Sequence, residues 1–146
     1  MNRMHIHINV KDLEQSIAFY STLFGAPPVV TKGEYAKWIL DDPALNFAIS
    51  DSANQTGVNH IGIQTDDRDG LSAISKRLKA AGETTFDQEA TSCCYAVSDK
   101  TWVEDPSGVR WETFFTHGEA TVYGDDEAQA ALETLKNQQA SNVACC

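Results

Sequence analysis

Three side chains, far apart along the sequence, have the types and settings needed to hold a divalent metal: His5, His60 and Glu112. His5 stands in MHIHINV and His60 in VNHIGIQ, each near the start of an alternating segment. Two neutral imidazoles and one carboxylate on one side of an ion leave other coordination positions open, the donor set of non-haem ferrous oxygenases. Glu112 lies in RWETFF, where a period of two puts Arg110, Glu112 and Phe114 on one face and Trp111, Thr113 and Phe115 on the other. A carboxylate buried among aromatic residues is costly unless something compensates its charge, and a bound cation is one compensating partner. His7, two residues beyond His5 and on the same face, competes for the role of ligand. His117 follows the last strand-like segment and reads as solvated. A lone strand histidine is ordinarily a surface or satisfied core residue. Two at equivalent points of a repeat, with a strand carboxylate at the repeat's other end, favour the metal.

The second chemical feature is Thr91-Ser-Cys-Cys-Tyr95, with Cys93 and Cys94 adjacent. Neighbouring cysteines rarely bond to each other, because the geometry strains the peptide between them. As thiolates they suit soft, thiophilic centres such as arsenic(III) and cadmium. A regular strand would turn the two sulfurs to opposite faces, so they grip one atom together only from a loop or bulge, which the preceding Ala-Thr-Ser allows. The alternative is that one packs in the core and the other is idle. A second pair, Cys145-Cys146, ends the sequence; its role is left open.

The elements that must position these groups repeat. Met4, Ile6, Ile8 and Val10 alternate with His5, His7 and Asn9, a strand pattern. Asp12 and Gln15 resemble a helix start, Leu13, Ile17, Tyr20 and Phe24 form one helical face, and Gly25 with Pro27-Pro28 ends it. Strand-like runs follow at Val29 to Thr31, Tyr35 to Leu40 and Leu45 to Ile49, and residues 51–57 (DSANQTG) read as a linker. The pattern then restarts. Val58 to Thr65 reads as a strand, and Leu71, Ile74, Leu78 and Ala81 as a helix closed by Gly82. Further strand-like runs fall at Thr84 to Phe86, Tyr95 to Val97, Lys100 to Val103 and Val109 to Phe115. His5-Ile-His-Ile matches His60-Ile-Gly-Ile, and both copies carry a Trp ahead of an Asp-Pro turn. The spacing thus predicts an α+β fold of two βαβββ modules, residues 1–54 and 55–117, forming a cupped mixed sheet with helices outside. The module-one counterpart of Glu112 falls near Phe47, which cannot ligate, so the expected site stays open. Residues 118–146 form an acidic tail, helix-competent from Asp125 to Gln139 and disordered from Ala140.

Composition narrows the class. With 146 residues, 42% hydrophobic and 22% charged, the chain suits one domain built of two modules. A net charge of -10 repels phosphate backbones, which argues against nucleic acid as a partner. No apolar run nears the roughly 20 residues of a membrane span. The N-terminus enters a strand without an export signal, which points to the cytoplasm, where the thiols stay reduced.

Taken together, the repeat, the two strand histidines and the final-strand glutamate resemble the vicinal-oxygen-chelate superfamily of glyoxalases, bleomycin-resistance proteins and extradiol dioxygenases. Five segments between residues 3 and 117 carry a closer resemblance: HIHINV, LNF, VNHIGIQ, TSCCYAV and WVEDPSG. They are similar to the ArsI-type carbon–arsenic lyases and the neighbouring cadmium-induced proteins. The resemblance implies a ferrous-iron-dependent dioxygenase that uses O2 to cleave the carbon–arsenic bond of trivalent methyl or aromatic arsenicals. It implies Fe(2+) on His5, His60 and Glu112, which are also the catalytic residues, and substrate on Cys93 and Cys94. It leaves open a homodimer, a non-catalytic cadmium- or arsenite-binding protein, and a glyoxalase-like enzyme.

Overall fold

The computed structural model describes residues 1–93, 95–119 and 128–143. They form β1 (Arg3–Asn9), α1 (Leu13–Phe24), β2 (Val30–Lys32), β3 (Tyr35–Asp41), β4 (Ala44–Ser50), β5 (Gly57–Gln64), α2 (Arg68–Ala80), β6 (Thr85–Cys93), β7 (Ala96–Glu104), β8 (Arg110–Glu119) and α3 (Ala128–Val143). The fold is α+β and runs β-α-β-β-β twice, as the repeat predicts. Contacts divide it into two compact units, Met1–Gln64 and Thr65–Cys146.

In the first unit the strands lie in the order β2-β3-β4-β1-β5. Here β1 runs parallel to β4 and antiparallel to β5, so β5, which opens the second sequence repeat, is held by the first unit. Asp12 caps α1 by accepting the Gln15 N–H at 2.9 Å, and Gly25, at φ 67, ends it in a left-handed conformation that glycine adopts without steric penalty. The apolar stripe Leu13, Ile17, Tyr20 and Phe24 lies on a core of Ala36, Trp38, Phe47 and Ile49, joined by Ile6 and Ile8. Aromatic contact dominates this core. The Tyr20 and Phe47 rings are 4.5 Å apart, and the Trp38 indole N–H donates to the Ala26 carbonyl at 3.0 Å.

In the second unit β7 pairs antiparallel with both β6 and β8. Asp67 caps α2 through the Gly70 N–H at 2.7 Å, and Leu71 and Ser75 are its buried residues. Two of the strand-like runs read from the sequence, 95–97 and 100–103, merge into the single strand β7. The last strand continues past Phe115 to Glu119, which places His117 inside β8. The helix-competent tail segment forms α3, which continues through Val143. Leu132 is fully buried against Trp102, with Phe86 packed on the same cluster, and Lys136 reaches Glu104 at 2.7 Å, so apolar and charged contacts both dock this mostly polar helix.

Candidate metal centre

The histidines of β1 and β5 converge inside the first unit. His5 and His7 project from one side of β1 and His60 pairs opposite His7 on β5. All three are buried, and each offers a ligand nitrogen within 4.8 Å of the others. His5 Nε2 and His60 Nε2 lie 3.1 Å apart. Two imidazoles bound to one ion at right angles, with bonds of about 2.1 Å, have nitrogens about 3 Å apart, so the pair is spaced for a shared cation.

The remaining ring nitrogens explain why these two point inward as lone pairs. His5 Nδ1 is 3.0 Å from the Asn46 carbonyl oxygen, which can only accept, so the proton sits on Nδ1 and Nε2 is unprotonated in the neutral ring. His60 Nδ1 likewise donates to Asn59 Oδ1 at 2.7 Å. Adjacent residues in a regular strand face opposite sides, yet Asn59 and His60 meet. The reason is a β-bulge: His7 pairs with His60 and Ile8 with Val58, leaving Asn59 as the extra residue. Asn59 in turn donates to Asn9 Oδ1 at 3.2 Å. Ser50 Oγ donates to the same Asn9 oxygen at 3.5 Å and lies 2.8 Å from His7 Nε2, in hydrogen-bond contact with that ring. Hydrogen bonds that fix a ligand's tautomer and ring orientation are the support a metal-binding histidine requires. The residues present fit a divalent ion.

Phe47 fits the expected absence of a ligand on β4 for a different reason from the one the sequence suggests. It points into the α1 core, beside Trp38. The β4 residues paired with His5, His7 and Asn9 are Asn46, Ala48 and Ser50, and none is a carboxylate. The parity of the strand, shifted by one residue between the two Asp-Pro turns, explains the offset.

Glu112 belongs to the second unit, on β8 opposite Trp102 of β7. Its Oε1 takes the Lys100 ammonium at 2.6 Å, and the two side chains are 4% and 7% exposed. The indole of Trp102 has Lys100 Nζ and the Arg110 guanidinium each 5.6 Å from its ring. Nothing in the sequence pattern identified Lys100; the cross-strand partner of a buried glutamate is visible only once the register is known. Cys93 closes β6, its backbone paired with Ala96, and Tyr95 follows at φ 62. Cys94 and the Cys145-Cys146 pair lie outside the described residues.

A second buried acid also escaped the sequence reading. Asp99, on β7, accepts the Ala90 N–H at 2.9 Å and pairs with Arg68 at 2.8 Å and His117 at 2.8 Å. His117 is therefore a close partner of Asp99 with a side chain 28% exposed, where the sequence suggested solvent. Ala90 has φ 48, in the register shift between Gln88 and Thr91, so Asp99 secures a strained bulge ahead of the cysteine segment. Burial pushes the Asp99 carboxyl up. The Ala90 N–H, the His117 hydrogen bond and charge, and the Arg68 guanidinium outweigh it and hold the carboxyl below its ordinary value. A carboxyl depressed in the folded state stabilises fully above its unfolded value of about 4 and loses that contribution as pH falls through the lower folded value. Urea midpoints of the parent and Asp99→Asn should thus differ at pH 6 and converge by about pH 2 to 3. An equal gap at both pH values would show that the charge of Asp99 contributes nothing.

Comparison with known proteins places this geometry. The model of the Glyoxalase/Bleomycin resistance protein/Dioxygenase superfamily matches residues 3–113. A trivalent organoarsenical cleaving enzyme of Bacillus sp. (strain MD1) is 44% identical over 149 residues, covering 100% of this chain and 91% of that protein. The cadmium-induced protein CadI of Mycobacterium bovis is 36% identical over 125 residues, covering 85% of this chain and 82% of that protein. Among solved structures, the 2,3-dioxygenase LapB from Pseudomonas sp. KL28 superposes with a TM-score of 0.62 at 24% identity, over 84% of this chain and 42% of that one. With its twice-repeated β-α-β-β-β order, its strand histidines and a family match across most of its length, the chain belongs to the Glyoxalase/Bleomycin resistance protein/Dioxygenase superfamily.

Proposed function

We propose that this chain is an Fe(II)-dependent dioxygenase that cleaves the carbon–arsenic bond of trivalent organoarsenicals and releases arsenite. His5, His60 and Glu112 are its metal ligands, and Cys93 and Cys94 bind the arsenic. One observation carries the reading: two buried imidazoles, each anchored through Nδ1, bring their Nε2 atoms within 3.1 Å of each other. The arsenic chemistry draws support from similarity to an organoarsenical cleaving enzyme along the whole chain.

A ferrous ion held there would supply redox activity and open coordination positions for dioxygen chemistry. The protein's part is positional. Each cysteine exchanges its S–H for an As–OH, forming an As–S bond and releasing water, so two adjacent thiols fix the orientation of one arsenic atom. Asn46 and Asn59 hold the imidazoles in place and so avoid reorganisation when the ligand set is used.

A second reading is sequestration of cadmium or arsenite by the thiols without turnover, favoured by the similarity to a cadmium-induced protein. Anaerobically reconstituted ferrous protein, given methylarsenite and then air, separates the two. Arsenite accumulating beyond one equivalent per chain is the expected result. Stoichiometric binding with no arsenite formed would replace the enzyme with the sequestering protein.

A further inference from the structure

We infer that His7 is a third imidazole ligand, so that the first unit holds a divalent ion by itself, through His5, His7 and His60, before or without Glu112. This rests on His5 and His60 being ligands, but not on the arsenic chemistry proposed above.

Four observations carry it. The three histidines are all buried, and their ligand nitrogens lie within 4.8 Å of one another. Every residue of the cluster comes from β1 and β5, so its geometry is set by the register of one strand pair. The His7 and His60 ring centroids are 5.0 Å apart, as near as the 5.1 Å between His5 and His60. Finally, the His7 ring is anchored through Nε2, 2.8 Å from Ser50 Oγ, as His5 and His60 are anchored through Nδ1. The same arrangement, one ring nitrogen anchored by a hydrogen bond, holds at all three rings.

Ligands around one ion sit about 3.0 to 3.4 Å apart, so from separations of at most 4.8 Å a shift of at most about 1.4 to 1.8 Å closes the set. Core packing is the competing account of His7. An apolar side chain would satisfy packing at that position, whereas an imidazole costs desolvation and requires Ser50 and Asn9 to offset it. Three imidazoles are a borderline nitrogen set, suited to zinc, nickel or cobalt as well as ferrous iron. The ion's protein ligands would then number three within one unit and four when Glu112 joins.

Cobalt(II) is the probe, since its visible spectrum reports nitrogen coordination and it needs no reductant. The assay uses the full chain, by equilibrium dialysis with metal analysis and by X-ray absorption to count imidazoles. Two backgrounds are compared: the parent, and Lys100→Met/Glu112→Leu, which removes the carboxylate together with its lysine. One cobalt per chain with three imidazoles is expected in both. His7→Gln keeps a donor for Ser50 but loses the ligand, and should weaken cobalt binding at least tenfold in the parent and about a hundredfold in the double variant. Unchanged affinity for His7→Gln in either background, two imidazoles in the absorption spectrum, or no cobalt in the double variant would each overturn the inference. Circular dichroism of each variant ensures that folded protein is being compared. The two proposals fail separately: a three-imidazole cobalt site without arsenite release removes the arsenic reading alone, and normal turnover in His7→Gln with unchanged metal affinity removes this one alone.

Discussion

Replacing His60 with alanine is expected to abolish metal retention through dialysis and to cut arsenite release from methylarsenite to background. His60 is the β5 member of the histidine cluster, and its Nε2 is the atom that faces His5 Nε2 at 3.1 Å. Without it the β1 histidines have no partner across the strand pair, and the remaining imidazoles cannot enclose an ion from two sides. A graded companion makes the result specific. Asn59→Ala leaves the imidazole but removes the acceptor that fixes its proton on Nδ1. Loss of such an orienting partner costs about 10- to 100-fold in metal affinity, and loss of the ligand itself should exceed the upper end of that range. Metal analysis after dialysis, alongside arsenic speciation, checks both variants. Full occupancy in His60→Ala would remove this residue from the metal centre, and an Asn59→Ala protein as depleted as His60→Ala would mean that misfolding explains both.

Much of the centre is legible in the sequence because strand periodicity is simple. An alternation of two puts His5 and His7 on one side of β1 without reference to any coordinates, and the repeated HI motif points to His60 as the matching position. What periodicity cannot supply is pairing. The register that joins His7 to His60, and the bulge that brings Asn59 beside its neighbour, depend on which strands lie together. Lys100 is the clearest case. In the sequence it only opens the strand-like run Lys100 to Val103; in the fold it faces a glutamate twelve positions away across a hairpin and is buried. The same holds for α3. Its composition predicts a helix but gives little reason to dock, and its docking includes Leu132 against Trp102 and Lys136 against Glu104, partners that only the fold reveals. Phe47 shows the opposite error: the Asp-Pro turns align the two copies correctly in outline, yet an offset of one residue reverses which side of the strand faces the histidines.

Glu112→Ala is expected to destabilise the fold by about 3 to 5 kcal/mol, more than the loss of packing around a short side chain would account for. The reason is the partner left behind. Lys100 is 7% exposed and its ammonium is 2.6 Å from the Glu112 carboxylate, so removing the acid takes a charged partner from a buried cation. Trp102, with its ring 5.6 Å from Lys100 Nζ, offers a cation–π contact of about 0.5 to 2 kcal/mol, too small to compensate. Removing both charges is a different experiment. In Lys100→Met/Glu112→Leu two apolar side chains fill the space beside Trp102 and neither desolvation penalty remains; replacing a buried pair in this way is commonly neutral or stabilising by about 1 to 4 kcal/mol. Urea unfolding should therefore order the proteins with the double variant at or above the parent and Glu112→Ala well below both. A Glu112→Ala protein within about 1 kcal/mol of the parent would mean that Lys100 regains water with little cost. The ordering bears directly on function. A single substitution at Glu112 that abolishes turnover confounds a lost ligand with a lost fold, whereas the double variant keeps the fold and lacks the carboxylate. If Glu112 completes the metal centre, that stable double variant must be the one that binds an ion yet fails to release arsenite.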